Sequence, residues 1–411
     1  MLKSQFFKLM RREIYNKVLQ IEKDIALNWK KDAHISLTTG IGGVPIFYYM
    51  LYKLEKKEVY LSKIYEVVEE IFDMLDSEDF KLTFSSGLTG LGCVFNFLRK
   101  NNVLKEENIN ESLEIIDETI ADFTISNLSS IDDVDFLHGA LGGAYYLNER
   151  LKDNPLIKER TIIIFEKLAS IILDDIKKTY EVSTLLKYDD ETHRTNCGLA
   201  HGHISYMIIF SKFIENFPNN QLIISAIRES AKCVLSFESN NKSNLSLFPG
   251  IAINKHTAEY NIHLGWCYGD QTISFGLQKA AKTLNDNNLF EKAKEIAIQT
   301  LKRDTFVKAL KSHLSDASMC HGTSSLAYLH KKWHQITKDK RFDELYQKFI
   351  KETLTKGDSD KGIGGYKKYI GNNNFQDAIG FLDGAVGIGV VLIDYLLENE
   401  TIAWDSFFLL D

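Results

Sequence analysis

Two short strings hold the residues best suited to metal chemistry. Cys267-Tyr268-Gly269 and Cys320-His321-Gly322 bring two cysteines and a histidine beside glycines. Zinc takes thiolate sulfur and imidazole nitrogen, and three protein ligands with one open position is the catalytic arrangement. Adjacent ligands such as Cys320 and His321 cannot both face one ion from within a helix, where neighbours diverge by about 100°. A tight loop allows it, and Gly322 marks one. The competing reading makes both cysteines packing residues and His321 a helix cap, since unpaired cysteine is commonly buried. The chain has 5 cysteines, the others being Cys93, Cys197 and Cys233, which read as inert packing residues. An odd number at wide spacing argues against a disulfide framework and for a reducing, cytoplasmic setting.

Such residues need elements to position them, and internal repetition supplies those. Seven stretches share a glycine followed three residues on by a small residue. Their lead glycines are Gly40, Gly87, Gly139, Gly202, Gly269, Gly322 and Gly384, separated by 47, 52, 63, 67, 53 and 62 residues. Each runs into an apolar stretch, as at Val44–Leu54 and Val386–Leu397. Between them lie stretches with charged faces and apolar residues at helical spacing, as at Tyr60–Leu75 and Leu289–Leu301. Each repeat thus predicts one amphipathic outer helix and one apolar inner helix. The glycine is expected to permit a tight loop, and the small residue close helix packing. Seven hairpins cannot bury their inner helices singly, but stacking buries them. A closed ring does so without terminal faces. The expected fold is all-α, an α/α toroid of seven inner and seven outer helices forming one domain over residues 1–411. An open solenoid is the alternative, although repeats of roughly 50–60 residues exceed the common helical solenoid units. Ser239–Ile262 breaks the helical pattern and is expected to form a loop or small hairpin insertion near the site.

Equivalent repeats place equivalent residues together. The two positions before each lead glycine hold Thr38 and Thr39, Ser85 and Ser86, Leu137 and His138, Ala200 and His201, Cys267 and Tyr268, Cys320 and His321, and Leu382 and Asp383. Two of the 5 cysteines and three of the 11 histidines fall in this set, at one rim of the expected ring. That clustering favours the zinc reading, with Cys267, Cys320 and His321 as ligands.

The strings Trp266-Cys267-Tyr268-Gly269, Cys320-His321-Gly322 and Gly198-Leu199-Ala200-His201-Gly202 resemble the signature motifs of lanthipeptide cyclases, the lanthionine synthetase C family. The resemblance spans Gly40 to Gly384. It implies an α/α toroid with one Zn2+ per chain at its mouth. The implied activity is addition of a peptide cysteine thiol to dehydroalanine or dehydrobutyrine, closing a thioether ring. Its implied partners are a dehydrated precursor peptide, a dehydratase and an export transporter, with the enzyme cytoplasmic or peripheral to a membrane-associated complex. His201 matches the family's proton-transfer histidine, against a reading as a hydrogen-bonded rim residue. Asp135 matches a functional aspartate that orients His201 or assists proton movement, against a reading as a capping residue beside Asp132 and Asp133. Where family members carry an enolate-stabilising arginine, this chain has His263, which can donate a hydrogen bond without a permanent charge. Tyr268 is a candidate donor to the enolate or a pocket wall. Asp270 is expected to cap the following helix, and His138 has no carried-over role.

Composition bounds the alternatives. With 44% hydrophobic and 26% charged residues the chain is globular. A net charge of -7 offers no footprint for nucleic acid. No secretory signal or run of 18 apolar residues is expected to direct or anchor it. Three rivals remain: a zinc prenyltransferase-like toroid, an enzyme adding glutathione or another free thiol to dehydrated peptides, and a non-catalytic helical-repeat scaffold.

Overall fold

The computed structural model describes residues 2–31, 34–77, 80–184, 193–241, 244, 246–252, 258, 260, 265–301, 316–357, 360–398 and 400–411. Among them are fourteen α-helices, numbered here in chain order. Seven start at or just after a lead glycine: α2 (Val44–Glu55), α4 (Leu88–Lys100), α6 (Ala140–Arg150), α8 (His203–Asn216), α10 (Asp270–Leu284), α12 (Thr323–Thr337) and α14 (Ala385–Leu397). The other seven alternate with them: α1 (Leu2–Asn28), α3 (Val59–Ser77), α5 (Glu106–Asn127), α7 (Lys158–Thr184), α9 (Gln221–Ser236), α11 (Asn287–Leu301) and α13 (Lys340–Lys356). None of the described helices is long and apolar enough to cross a membrane.

Burial separates the two sets as the apolar patterning requires. Every residue of Val44–Leu51 in α2, Leu88–Arg99 in α4 and Ala385–Leu396 in α14 is buried. The alternating helices bury a stripe only. In α13 it is Phe342, Tyr346, Phe349, Ile350 and Thr353, a spacing of three and four that keeps one helical face on the core. Local chemistry sets the ends. The Asn220 side chain accepts from the Ile223 N–H at the start of α9, and Asp339 accepts from the Arg341 N–H before α13.

Contacts divide the chain into two compact units, Met1–Leu113 with Leu314–Asp411, and Glu114–His313. In the first, the two ends of the chain join: α1 packs on α14 and α14 on α2. Lys17 Nζ donates to the Gly357 carbonyl at 2.8 Å, and the Gly364 N–H to Asp24 Oδ2 at 2.8 Å. The C-terminal turn Ala403–Phe408 is locked in by Trp404, Phe407 and Phe408 around Phe381, and by Asp405 accepting from Tyr328 and Lys332. First and last repeats therefore share a core, which an open solenoid keeps apart. A hairpin of β3 (Lys368–Tyr369) and β4 (Phe375–Gln376) also belongs here.

In the second unit α8 packs on α6, α9 and α10, and α10 on α11. Asp117 of α5 is fully buried and is ringed by donors: Arg150 Nε and Nη2, Tyr146 Oη and Asn154 Nδ2, at 2.5–3.0 Å. In the described part of Ser239–Ile262 the Ser239 N–H donates to the Leu247 carbonyl at 2.8 Å and closes a loop. The segment's strand β2 (Ile251–Ala252) pairs antiparallel with β1 (Thr195–Asn196), just upstream of the fourth glycine motif. Residues 242–243, 245, 253–257, 259 and 261–262 of that segment lie outside the described residues.

Candidate functional site

The motif loops share one construction. The lead glycine N–H donates to the carbonyl four residues upstream in the pairs Gly40–Ser36, Gly87–Thr83, Gly139–Asp135, Gly322–Ser318 and Gly384–Gly380, at 3.0–3.1 Å. Most lead glycines have extended backbone that any residue adopts, so conformation is not why glycine is needed. A Cβ on Gly87 would lie 1.8 Å from the Lys81 carbonyl oxygen, and one on Gly202 2.0 Å from that of Asn196. The glycine admits a carbonyl six residues upstream. The loop is tight, as expected, because of this close approach; only Gly269, whose φ is +132°, also needs glycine for its conformation. The third residue on is close-packed as well: a Cβ on Gly90 would meet the Phe84 carbonyl oxygen of its own loop at 2.1 Å, and one on Gly43 the Phe381 side chain of the last repeat at 2.4 Å.

Backbone hydrogen bonds join the second residue before six of the seven lead glycines. In the first unit the Cys320 N–H donates to the Leu382 carbonyl, Leu382 to Thr38, and Thr38 to Ser85, at 3.0–3.1 Å. In the second, Leu199 and Ala200 donate to the Cys267 carbonyl at 2.9 and 3.4 Å. The equivalence inferred from the repeats is thus a physical one within each unit.

In the first unit Cys320 and His321 are half-buried, with 31% of the His321 side chain exposed. A hydrogen bond with the Cys320 sulfur pushes the imidazole up to about 9. Burial opposes this, and the Asp316 and Asp383 carboxylates add to it. Sulfur and ring nitrogen therefore face one volume, which a pair of adjacent ligands on a loop must do. Asp316 lies 3.9 Å from His321 Nε2 and accepts the Ser318 and Tyr369 N–H groups, fixing the loop. Sequence reasoning missed Asp316, although its place six residues before Gly322 was available as a signal.

The second unit holds the other candidates. His201 Nδ1 lies 2.7 Å from Asp135 Oδ2, while Asp135 Oδ1 accepts the His138 N–H at 2.7 Å. Asp135 is both the loop cap and the partner of His201. The rings of His138 and His201 stack at 5.7 Å and 20°, and Tyr268 stands 6.4 Å from His201. Tyr268 Oη accepts from Asn196 Nδ2 at 3.1 Å, and its ring packs so closely on Gly198 that a Cβ there would lie 2.5 Å from it. Asn196 is a second residue the sequence did not flag. Trp266 is fully buried and serves packing. Asp270 is the first residue of its helix, α10. Its buried carboxylate accepts the Leu247 and Phe248 N–H groups at 2.9–3.1 Å and pins the Ser239–Ile262 segment. His263 lies outside the described residues.

The cysteines sort by environment. Cys93, Cys197 and Cys233 are buried, and burial pushes the Cys197 thiol up and that of Cys233 up to about 12, which keeps both protonated. Cys267 and Cys320 are the half-exposed pair. Cys320 with His321 offers a soft sulfur and an imidazole on one loop, and Cys267 a soft sulfur in the other unit, donors of the kinds zinc takes.

The model of lanthionine synthetase C-like proteins matches residues 31–409. Among solved structures the chain is similar to nisin cyclase, with a TM-score of 0.72 and 20% identity over 98% of each chain. Likeness to a cellobiose 2-epimerase from Bacillus thermoamylovorans is far weaker, with a TM-score of 0.39 and 12% identity over 95% of this chain and 100% of that one, and carries no argument. No curated protein sequence matches. At 20% identity the likeness to nisin cyclase speaks to the fold, and the fold is the expected α/α toroid.

Proposed function

Because the chain belongs to the lanthionine synthetase C-like family, we propose that it is a zinc-dependent lanthipeptide cyclase. It adds peptide cysteine thiols to dehydroalanine or dehydrobutyrine and closes (methyl)lanthionine rings. Cys267, Cys320 and His321 would hold the ion, which requires the two compact units to act as one domain. Zinc with two thiolate ligands lowers the pKa of a coordinated substrate thiol and leaves its sulfur nucleophilic.

The observation that carries this reading is the carboxylate–imidazole pair on the motif loops. Asp135 and His201 stand 66 residues apart in sequence and 2.7 Å apart in space. The carboxylate assigns the proton to Nδ1 and presents Nε2 as the atom that exchanges protons. Attack of sulfur on the β-carbon forms the C–S bond and moves the C=C pair onto the neighbouring carbonyl as an enolate. The α-carbon must then take a proton. His201 accepts the proton released by the thiol and returns it to the α-carbon, so no proton is gained or lost overall. Asp135 steadies the imidazolium between these events. Tyr268, fixed by Asn196 and Gly198, would donate to the enolate oxygen. His263 is the other candidate for that role.

The test pairs metal analysis with cyclisation of a dehydrated precursor peptide. Ring closure changes no mass but consumes free cysteine, so thiol alkylation followed by mass spectrometry reads it. Purified protein should carry one tightly held zinc per chain, and Cys320→Ala should lose that equivalent together with ring closure. A Cys320→Ala protein that holds as much zinc as wild type or closes rings at the wild-type rate would overturn the assignment.

A further inference from the structure

The second unit holds another set of metal-ligating side chains, apart from the proposed zinc ligands. One ligand atom each from Asp135, His138 and His201 lies within 4.8 Å of the others. Two imidazoles and a carboxylate are a known catalytic-zinc donor set. Tetrahedral coordination at 2.0–2.2 Å sets ligand atoms about 3.3–3.6 Å apart. The Asp135 and His201 atoms are already closer than that, at 2.7 Å. A cation replacing the proton between them needs the His138 nitrogen, already within 4.8 Å of both atoms on an exposed side chain stacked on His201, to close in to the same span. The Asp135 carboxylate is held by the His138 N–H, and the two rings are near-parallel, so the three donors are arranged before any ion arrives. Exposure of His138 also opens the cluster to solvent.

We propose that Asp135, His138 and His201 form a second divalent-cation site that takes zinc and, when filled, stops the enzyme. Binding stands on this geometry alone. Inhibition rests on the function proposed above, because the ion occupies the imidazole and carboxylate that move the proton. His138 would then be the residue that makes the proton-transfer pair a metal site.

Zinc titration against a competing chelator tests it. Wild type should take up two equivalents, the second more weakly. His138→Ala should lose the second, or bind it at least about tenfold more weakly, and keep the first. Cys267→Ala/Cys320→Ala should keep one equivalent, which adding His138→Ala removes. Circular dichroism checks that the variants are folded. In the cyclisation assay, excess zinc should inhibit wild type, while His138→Ala, measured against its own rate at low zinc, should resist the excess. A wild type that saturates at one equivalent in excess zinc sinks the proposal, as does a second equivalent indifferent to His138→Ala. The titration decides the site whether or not the chain closes rings, so the two proposals fail separately.

Discussion

His201 is a residue whose role depends on the neighbour at its back. With Asp135 on Nδ1, its other nitrogen can serve as acid and base in turn. Three zinc ligands are proposed elsewhere, so removing His201 should leave the metal at Cys267, Cys320 and His321 in place. His201→Ala is expected to keep that zinc and the helical circular dichroism while slowing ring closure about a hundredfold or more. Wild-type cyclisation by this variant would move the acid role to Tyr268 or His263. Asp135→Asn is a milder change. It retains an acceptor for the His138 N–H but loses the anion beside His201, so kcat should fall with KM little altered. If Asp135 only caps the loop, that variant should be silent. The sequence exposes His201 through its position before a lead glycine. It leaves Asp135 divided between capping and orienting, and the structure shows why: each carboxylate oxygen does one of the two. Asn196 and Asp316 escape a sequence reading because their partners, Tyr268 and Tyr369, lie 72 and 53 residues away, although both stand six residues before a lead glycine.

At the scale of the element, the lead glycines set where each buried helix begins. Gly87→Ala should cost about 3 kcal/mol or more, because its Cβ meets the Lys81 carbonyl at 1.8 Å and backbone cannot yield as a side chain does. Gly371 is the contrast. A Cβ there meets nothing within 4 Å, and only its φ of +93° resists substitution, so Gly371→Ala should cost about 1 kcal/mol. Urea unfolding of the two variants compares them, and equal losses would show that close approach is not what the motif glycine serves. The helices themselves were legible, since a run apolar on all sides and a run striped at three and four read differently in sequence as in burial. The pairing of Ile251–Ala252 with Thr195–Asn196 was not. Two residues per strand leave no alternation to read. The pairing depends on Asp270 gathering the Leu247 and Phe248 amides, a contact made 22 and 23 residues away in sequence.

Across the whole molecule, acid should weaken both compact units in one pH window. His203 at the start of α8 belongs to one unit and His330 within α12 to the other, and both are fully buried. Burial is the main cause that brings each imidazole down to about 4 from 6.5. For His330 this holds although Nδ1 donates to the Leu326 carbonyl. A folded-state value below the unfolded one means that the unfolded chain takes up the proton first as pH falls. The stabilisation is complete above about 6.5 and is lost as pH drops towards 4. A shift of that size is worth on the order of 3 kcal/mol for each histidine. Urea midpoints should therefore hold steady above neutrality and fall across that window, before most carboxylates are protonated. His203→Gln and His330→Gln each replace the ring with a neutral amide and should remove part of the slope, at some cost in packing that is independent of pH. The double variant should be the flattest of the set. If it loses stability as steeply as wild type between pH 6.5 and 4, the acid sensitivity belongs to other groups and these two histidines are ordinary core residues.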